Sequence, residues 1–303
     1  MYRFSQHEIF TVYHFDFSSL SEFLDYLETA PLSRTFEGKE ASKRDNFDLL
    51  KTHSLEEAIQ MCRYGGGMDT DDFYSLEQCI KRELDMTFDT PRAYNDYVGF
   101  APDVPSYLLG RPLNMINKPN PPRKRLRVYM NTSYNSTVKL EQIMHRGACV
   151  MTAIDVLEML HYSVELWLFE MSCTENNDGT IDVHHSEFCA KTYGERLNVQ
   201  KLFFPLCHPS WIRRLNFRLI ELTPDISYHW PGNYGSICNP LLVKKQINLD
   251  DGDVLLPSIE DSNITGTDLL ADARTTFASF NKVLPREDQL KLRKQIVIEQ
   301  DEA

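Results

Sequence analysis

A five-residue strand, Leu126–Met130, that empties into small polar residues and then a long helix constrains this chain more than any other stretch. The polar run is Asn131-Thr132-Ser133-Tyr134-Asn135-Ser136, and the β-prone segment Tyr162–Phe169 follows the helix. Strand, helix and strand in that order predict a parallel βαβ unit and an α/β fold. Such a unit puts the polar loop at the carboxyl edge of a sheet, where α/β proteins build their sites. The helix carries Leu140, Ile143, Met144, Gly147, Val150, Met151, Ile154 and Leu157 at spacings of three and four, so one face is buried. Gly147 in mid-helix costs about 1 kcal/mol relative to alanine, which points to a neighbour packed closely against it.

Upstream, residues 1–117 read as an N-terminal α-rich segment. Phe17–Leu27 has a capping serine and helical spacing, and Ser54–Arg63 opens on a capping box of Ser54 and Glu57. That helix stops at Gly65-Gly66-Gly67, and a third helix is predicted over Asp71–Leu84. The glycines do not make a phosphate loop: a helix precedes them, no Lys-Ser/Thr follows, and Asp69, Asp71 and Asp72 would repel phosphate. Gly99–Pro112, punctuated by Pro102 and Pro105, is expected to be a packed irregular segment with apolar anchors. Asn117–Pro122 reads as a linker, which divides the chain into a segment 1–117, a linker 118–125 and an α/β domain 126–303. Within the last, a hairpin is predicted around Asn176-Asn177-Asp178-Gly179 and two helical pieces over 203–215. A turn-rich stretch Tyr228–Pro240, a short buried strand at Val254–Leu256 and a helix over Asp268–Val283 complete it.

The net charge of −12 argues against a general nucleic-acid binder, since phosphate neutralisation needs a basic surface. Arg123–Arg127 is the local exception and reads as a charged strand entrance. No apolar run approaches the roughly 18–20 residues that span a bilayer, and the N-terminus shows no signal-peptide pattern. The seven scattered cysteines contain no Cys-x-x-Cys pair, so reduced thiols in a cytoplasm are expected, with neither a zinc framework nor a disulfide scaffold.

The order of elements over Arg127–Val283 resembles a von Willebrand factor A domain. That resemblance implies a three-layer α/β sheet domain and a metal loop of the form Asp-x-Ser-x-Ser. Aligned on the loop, Asn131 stands for the aspartate, Ser133 for the first serine and Asn135 for the second. Glu260-Asp261 and Thr265 or Thr267 fall near where the family offers further ligands. Hard cations prefer charged oxygens. With an amide at Asn131 the resemblance therefore implies a degenerate site and no cofactor beyond weak Mg or Mn binding. Ser54–Gly67, Val104–Met115, Arg146-Gly147-Ala148 and His208–Phe217 separately resemble an uncharacterised family encoded mainly by phages and prophages, with no activity implied. A phage-encoded chain would work in the host cell cytoplasm.

One more cluster stands out, Asp182-Val183-His184-His185-Ser186-Glu187. On a strand, Asp182, His184 and Ser186 share one face, and Val183, His185 and Glu187 the other. Two ligands per face begin a metal site without completing it, and a solvated hairpin face is expected. No Gly-x-Ser-x-Gly elbow is present, His208 fits a core or helix-end position, and Arg213 and Arg214 are expected to pair with carboxylates such as Glu221. The sequence thus predicts a non-enzymatic protein-binding module of a phage or mobile element, whose partner meets Asn131, Ser133, Asn135, Asp261 and Thr265. The alternatives are a metal-dependent hydrolase or nuclease using Asp182, His184, His185, Glu187 and Asp261, and a virion structural protein.

Overall fold

Alternating burial along Phe10–Phe17 begins the architecture: Val12, Tyr13, Phe15 and Phe17 are buried, so the segment belongs inside a sheet. The computed structural model describes residues 1–303 except 7–8, 45, 66–69, 84–93, 100, 118–122, 228–229, 231–233 and 290–303. Gly66, Gly67, Asp69, Leu84, Phe100, most of the expected linker and part of the turn-rich stretch therefore lie outside the described residues.

Strands β1 (Tyr2–Gln6) and β2 (Phe10–Phe17) form an antiparallel hairpin. Helices α1 (Leu20–Thr29), α2 (Phe47–Leu50), α3 (Leu55–Tyr64) and α4 (Thr70–Glu83) follow. Ser19 and Ser54 cap α1 and α3 by accepting the N–H of Glu22 (3.2 Å) and Glu57 (3.1 Å), and α3 ends on Gly65 at φ 69°. A small excursion then carries β3 (Tyr94–Asp96), β4 (Ala101–Pro102), helix α5 (Val104–Leu108) and β5 (Met115–Asn117). The α/β half comprises β6 (Lys124–Asn131), α6 (Leu140–Met159), β7 (Tyr162–Glu175) and β8 (Ile181–Lys191). Helix α7 (Val199–Cys207), a π-turn over Trp211–Asn216, α8 (Phe217–Glu221) and β9 (Ser236–Ile237) come next. The described elements end with α9 (Pro240–Gln246), β10 (Val254–Leu256) and α10 (Leu269–Asn281).

The main sheet runs β1-β2-β8-β7-β6-β10, with β9 added to β7. Strands β10, β6 and β7 are mutually parallel, and α6 crosses between β6 and β7 as the βαβ reading requires. Strand β8 returns antiparallel from the hairpin, and β2 lies parallel to it from Phe10–Ile181 to Phe17–Phe188. The class is α/β, as expected. Residues 1–117 contribute helices α1–α5 and also open with two strands that extend the same sheet. Helices α1 and α3 also share one apolar core with α6 and α7.

That core lies between one sheet face (Val128, Met130, Val164, Leu166, Leu168) and α6, whose Val150, Ile154 and Leu157 are fully buried. Each such side chain stabilises the fold by roughly 1.5–3 kcal/mol. Gly147 has the close neighbour expected of it: a Cβ there would lie 2.2 Å from Cys207 Sγ and 2.9 Å from the Leu206 carbonyl. The opposite sheet face packs Val12, Phe169, Met171 and Val183 against Val243 and Ile247.

The excursion departs from the expected packed irregular segment. Asp103 caps α5 by accepting the Ser106 N–H, and Pro105 sits in its first turn, where a missing N–H costs nothing. Its apolar residues face outward, with Tyr97, Val98, Tyr107, Leu108 and Leu109 all exposed. Gly99 is required there because a Cβ would fall 2.1 Å from the Ile116 carbonyl oxygen. No described helix is long and apolar enough to cross a membrane, and all seven cysteines are free.

Candidate functional site

The loop after β6 is held by its own polar side chains. Asn131 Oδ1 accepts the Ser133 N–H at 2.9 Å, which turns the chain immediately after the strand. Thr132 donates its N–H (2.8 Å) and hydroxyl (3.0 Å) to the Phe169 carbonyl. Ser133 Oγ donates to the Met171 carbonyl (3.2 Å) and accepts the Met171 N–H (2.9 Å), extending the β6–β7 ladder through a side chain. Tyr134 donates to the Pro209 carbonyl (3.1 Å), and Trp211 Nε1 donates to Thr132 Oγ1 (3.2 Å).

A buried arginine lies beneath this loop. Arg146 of α6 donates to Ser262 Oγ (2.9 Å), to the Asn131 carbonyl (3.3 Å) and to the Pro257 carbonyl, tying the carboxyl ends of β6 and β10 together. Burial pulls its guanidinium down to about 10, which leaves it charged at neutral pH. Asn135 donates its N–H to Glu260 Oε1 at 2.7 Å. Asp261 instead accepts from Ser258 Oγ (2.9 Å), and Thr265 donates its N–H to Asp272 (2.8 Å), which also lies 3.1 Å from His145 Nδ1. Asn131, Ser133 and Asn135 thus share one loop. Asp261 and Thr265 belong to structural turns on the α10 side.

Beside the loop a cavity of about 320 Å³ opens. Ser133, Asn135 and Ser136 form one wall, and Arg44, Asn46 and Leu49 the other. The second wall is anchored from below. Arg214 donates to Thr52 Oγ1 (2.6 Å), the Thr52 carbonyl (2.8 Å) and the Ser42 carbonyl (2.8 Å), while Glu221 accepts from Ser42 N–H (2.9 Å), Tyr234 OH (2.7 Å) and Arg218 (3.5 Å). Arg213 lies over the Tyr134 ring (5.8 Å) and donates to the Ser136 carbonyl (3.3 Å).

Glu170 and Ser172 also line the cavity, and they belong to the part of β7 that runs on past β6. There Glu170, Ser172 and Thr174 stand opposite Ser186, His184 and Asp182 of β8, all six buried. The expected solvated hairpin face is therefore a buried one. Strand β2 covers the outer edge of β8, and Thr223 and Trp230 sit on the face, with His184 Nε2 3.1 Å from Thr223 Oγ1. His184 Nδ1 lies 3.7 Å from Glu170 Oε2. Those two atoms, with Ser172 Oγ, Thr174 Oγ1 and Asp182 Oδ2, have no hydrogen-bond partner among the described residues.

His185 turns to the other face, where its ring stacks on His14 at 4.2 Å. Asp182 and His184 are thus separated from His185 and Glu187 by the sheet, and Asp261 lies beyond β6. The five residues of the hydrolase reading are not brought together. Among the described residues, His14, His185 and Glu187 are the grouping whose ligand atoms all lie within 4.8 Å of one another. Motif and spacing in the sequence do not single out Glu170 and Ser172. Their signal was polar residues at alternate positions (Glu170, Ser172, Thr174) closing a strand whose same-face positions before them are apolar.

Over residues 5–282 the chain matches the family described as a domain of unknown function, DUF7192, and it belongs to that family. No curated protein and no solved structure matches it.

Proposed function

For this member of the DUF7192 family we propose a non-enzymatic protein-binding role in a phage or other mobile element, with a von Willebrand A-like half as its platform. The strand order β8-β7-β6-β10 supports that likeness, with β8 antiparallel and α6 and α10 flanking the sheet. The observation that carries the binding role is the cavity lined by Glu170 and Ser172, whose buried Oε2 and Oγ atoms have no hydrogen-bond partner among the described residues. Beyond the His184 ring at 3.7 Å, the buried Glu170 carboxyl lacks hydrogen-bond donors among the described residues, and leaving such a group unsatisfied is costly, so the site favours a ligand that supplies N–H groups. A volume near 320 Å³ is at the small end for ligand pockets and suits one or two inserted side chains. The occupant that fits is a lysine or arginine of a partner segment laid across Ser133–Ser136. The loop needs no ion in this reading, because the Asn131 amide oxygen and the Ser133 hydroxyl are spent within the fold. The exposed Tyr97, Val98, Tyr107, Leu108 and Leu109 of the excursion favour a protein over a small molecule as partner.

Selection from a random peptide display library tests the role. Wild type should enrich peptides with lysine or arginine at one fixed position, and Glu170→Gln should lose that preference. The double variant Ser133→Ala plus Asn135→Ala should weaken capture of the enriched peptides. Failure of wild type to enrich, or the same enrichment by Glu170→Gln, overturns the proposal.

A further inference from the structure

Two adjacent parallel strands present the same short pattern in register. Strand β2 carries His14-Phe15-Asp16 and β8 carries His185-Ser186-Glu187, with His14 opposite His185 and Asp16 opposite Glu187. All four side chains emerge on the sheet face away from α6, since Phe15 packs in the α6 core. We infer that these strands hold a divalent transition-metal ion of the zinc class, with His14, His185 and Glu187 as ligands and Asp16 at the fourth side.

The geometry suits such an ion. His14 Nε2 lies 3.7 Å from Glu187 Oε1, and His185 Nε2 lies 3.8 Å from Glu187 Oε2. Ligands about 2.0–2.2 Å from a tetrahedral zinc stand roughly 3.4 Å apart, so the carboxylate–imidazole spacings match, and the stacked rings of His14 and His185, 13° from parallel, must tilt to aim their nitrogens at one ion. Imidazole nitrogens with carboxylate oxygens are the donor set of zinc rather than of calcium or magnesium, which take oxygen alone.

The second observation concerns His185. It is 1% exposed, yet neither ring nitrogen has a hydrogen-bond partner among the described residues. A buried imidazole normally satisfies at least one nitrogen, and a metal would satisfy the one facing Glu187. On the remaining side Asp16 pairs with Arg3 through Oδ2 and turns Oδ1 toward His14 Nε2 at 2.7 Å. A bound ion would cross-link the N-terminal hairpin to β8.

The full-length protein, stripped with chelator and titrated with zinc chloride in a calorimeter, tests the site. One ion per chain is expected, with a rise in the thermal midpoint and, for cobalt(II), the intense visible bands of tetrahedral coordination. Glu187→Gln and His14→Asn alter half-buried positions and preserve shape. Each should weaken zinc at least 10-fold and abolish the thermal shift, with circular dichroism unchanged. No stoichiometric binding by wild type, or equal affinity in both variants, overturns the inference. The second result would place the ion elsewhere, for example on the free cysteines.

Discussion

The loop Asn131–Ser136 and the β7–β8 extension meet at the same cavity, yet they solve the problem of buried polarity in opposite ways. In the loop, Asn131, Thr132, Ser133 and Tyr134 each bond to a partner within the fold, and Arg146 closes the underside. In the extension, Glu170, Ser172, Thr174, Asp182 and His184 are as deeply buried, but each has a polar atom with no hydrogen-bond partner among the described residues. The loop's polarity is therefore spent on building the sheet edge. The extension's polarity is held in reserve for water or a ligand, since the large majority of buried polar side-chain atoms have at least one hydrogen-bond partner. Polar side chains at the carboxyl end of a strand are informative about function only after their internal bonds have been subtracted.

Substitutions should separate the two regions. The largest effect is expected from Arg146→Met, which strands the Asn131 and Pro257 carbonyls and should cost about 3 kcal/mol in urea unfolding. Ser133→Ala removes both side-chain bonds to Met171 and leaves a buried N–H unpaired, for about 2 kcal/mol. Losses under 0.5 kcal/mol in both variants would break the comparison.

A pH effect comes next. His208, which accepts the Ser210 N–H beneath the loop, is pulled from 6.5 to about 3 by burial. The unfolded chain binds this proton below about pH 6.5 and the folded chain does not. Its contribution is present in full above that pH and is lost as pH falls toward 3. Between pH 7.5 and 5.5 this histidine should account for about 1.4 kcal/mol of lost stability. His208→Phe should flatten that part of the pH profile, and an unchanged slope would count against the burial account. The smallest effect has the opposite sign. Glu170→Leu removes a buried carboxyl that has no hydrogen-bond donor among the described residues and should raise stability by about 1 kcal/mol, where the loop variants lower it. A loss of similar size would mean that Glu170 is already satisfied.

What the sequence made legible follows physical scale. The βαβ unit was readable because α6 repeats apolar residues over many turns and β6 is β-prone throughout. Gly147 also announced its neighbour, since a mid-helix glycine has few other reasons to exist. Strands β1 and β2 were missed. Their partner β8 lies far along the chain, and nothing local in Tyr2–Phe17 reports that pairing. The excursion was misjudged because exposure of Leu108 and Leu109 is a tertiary fact, invisible in a pattern of apolar residues. At the cavity, Ser133 and Asn135 are legible as loop residues from their position after a strand, while Glu170 and His14 become candidates only once β7, β8 and β2 lie side by side.

That distant pairing sets an order of events during synthesis. Residues 10–17 leave the ribosome long before residues 181–188, their partners in the sheet. At about 5–20 residues per second the wait is roughly 10–35 s. Throughout it the residues of β1 and β2 lack their sheet partner and could pair with a neighbouring nascent chain. A two-stranded hairpin alone is barely stable in water, so β2 would be assembled late, onto a β8 already seated by its own hairpin with β7. Chaperone demand in the producing cell should therefore fall on the first twenty residues, and deleting the hairpin should leave bare both the flank of β8 and the core side chains that Phe15 and Phe17 cover.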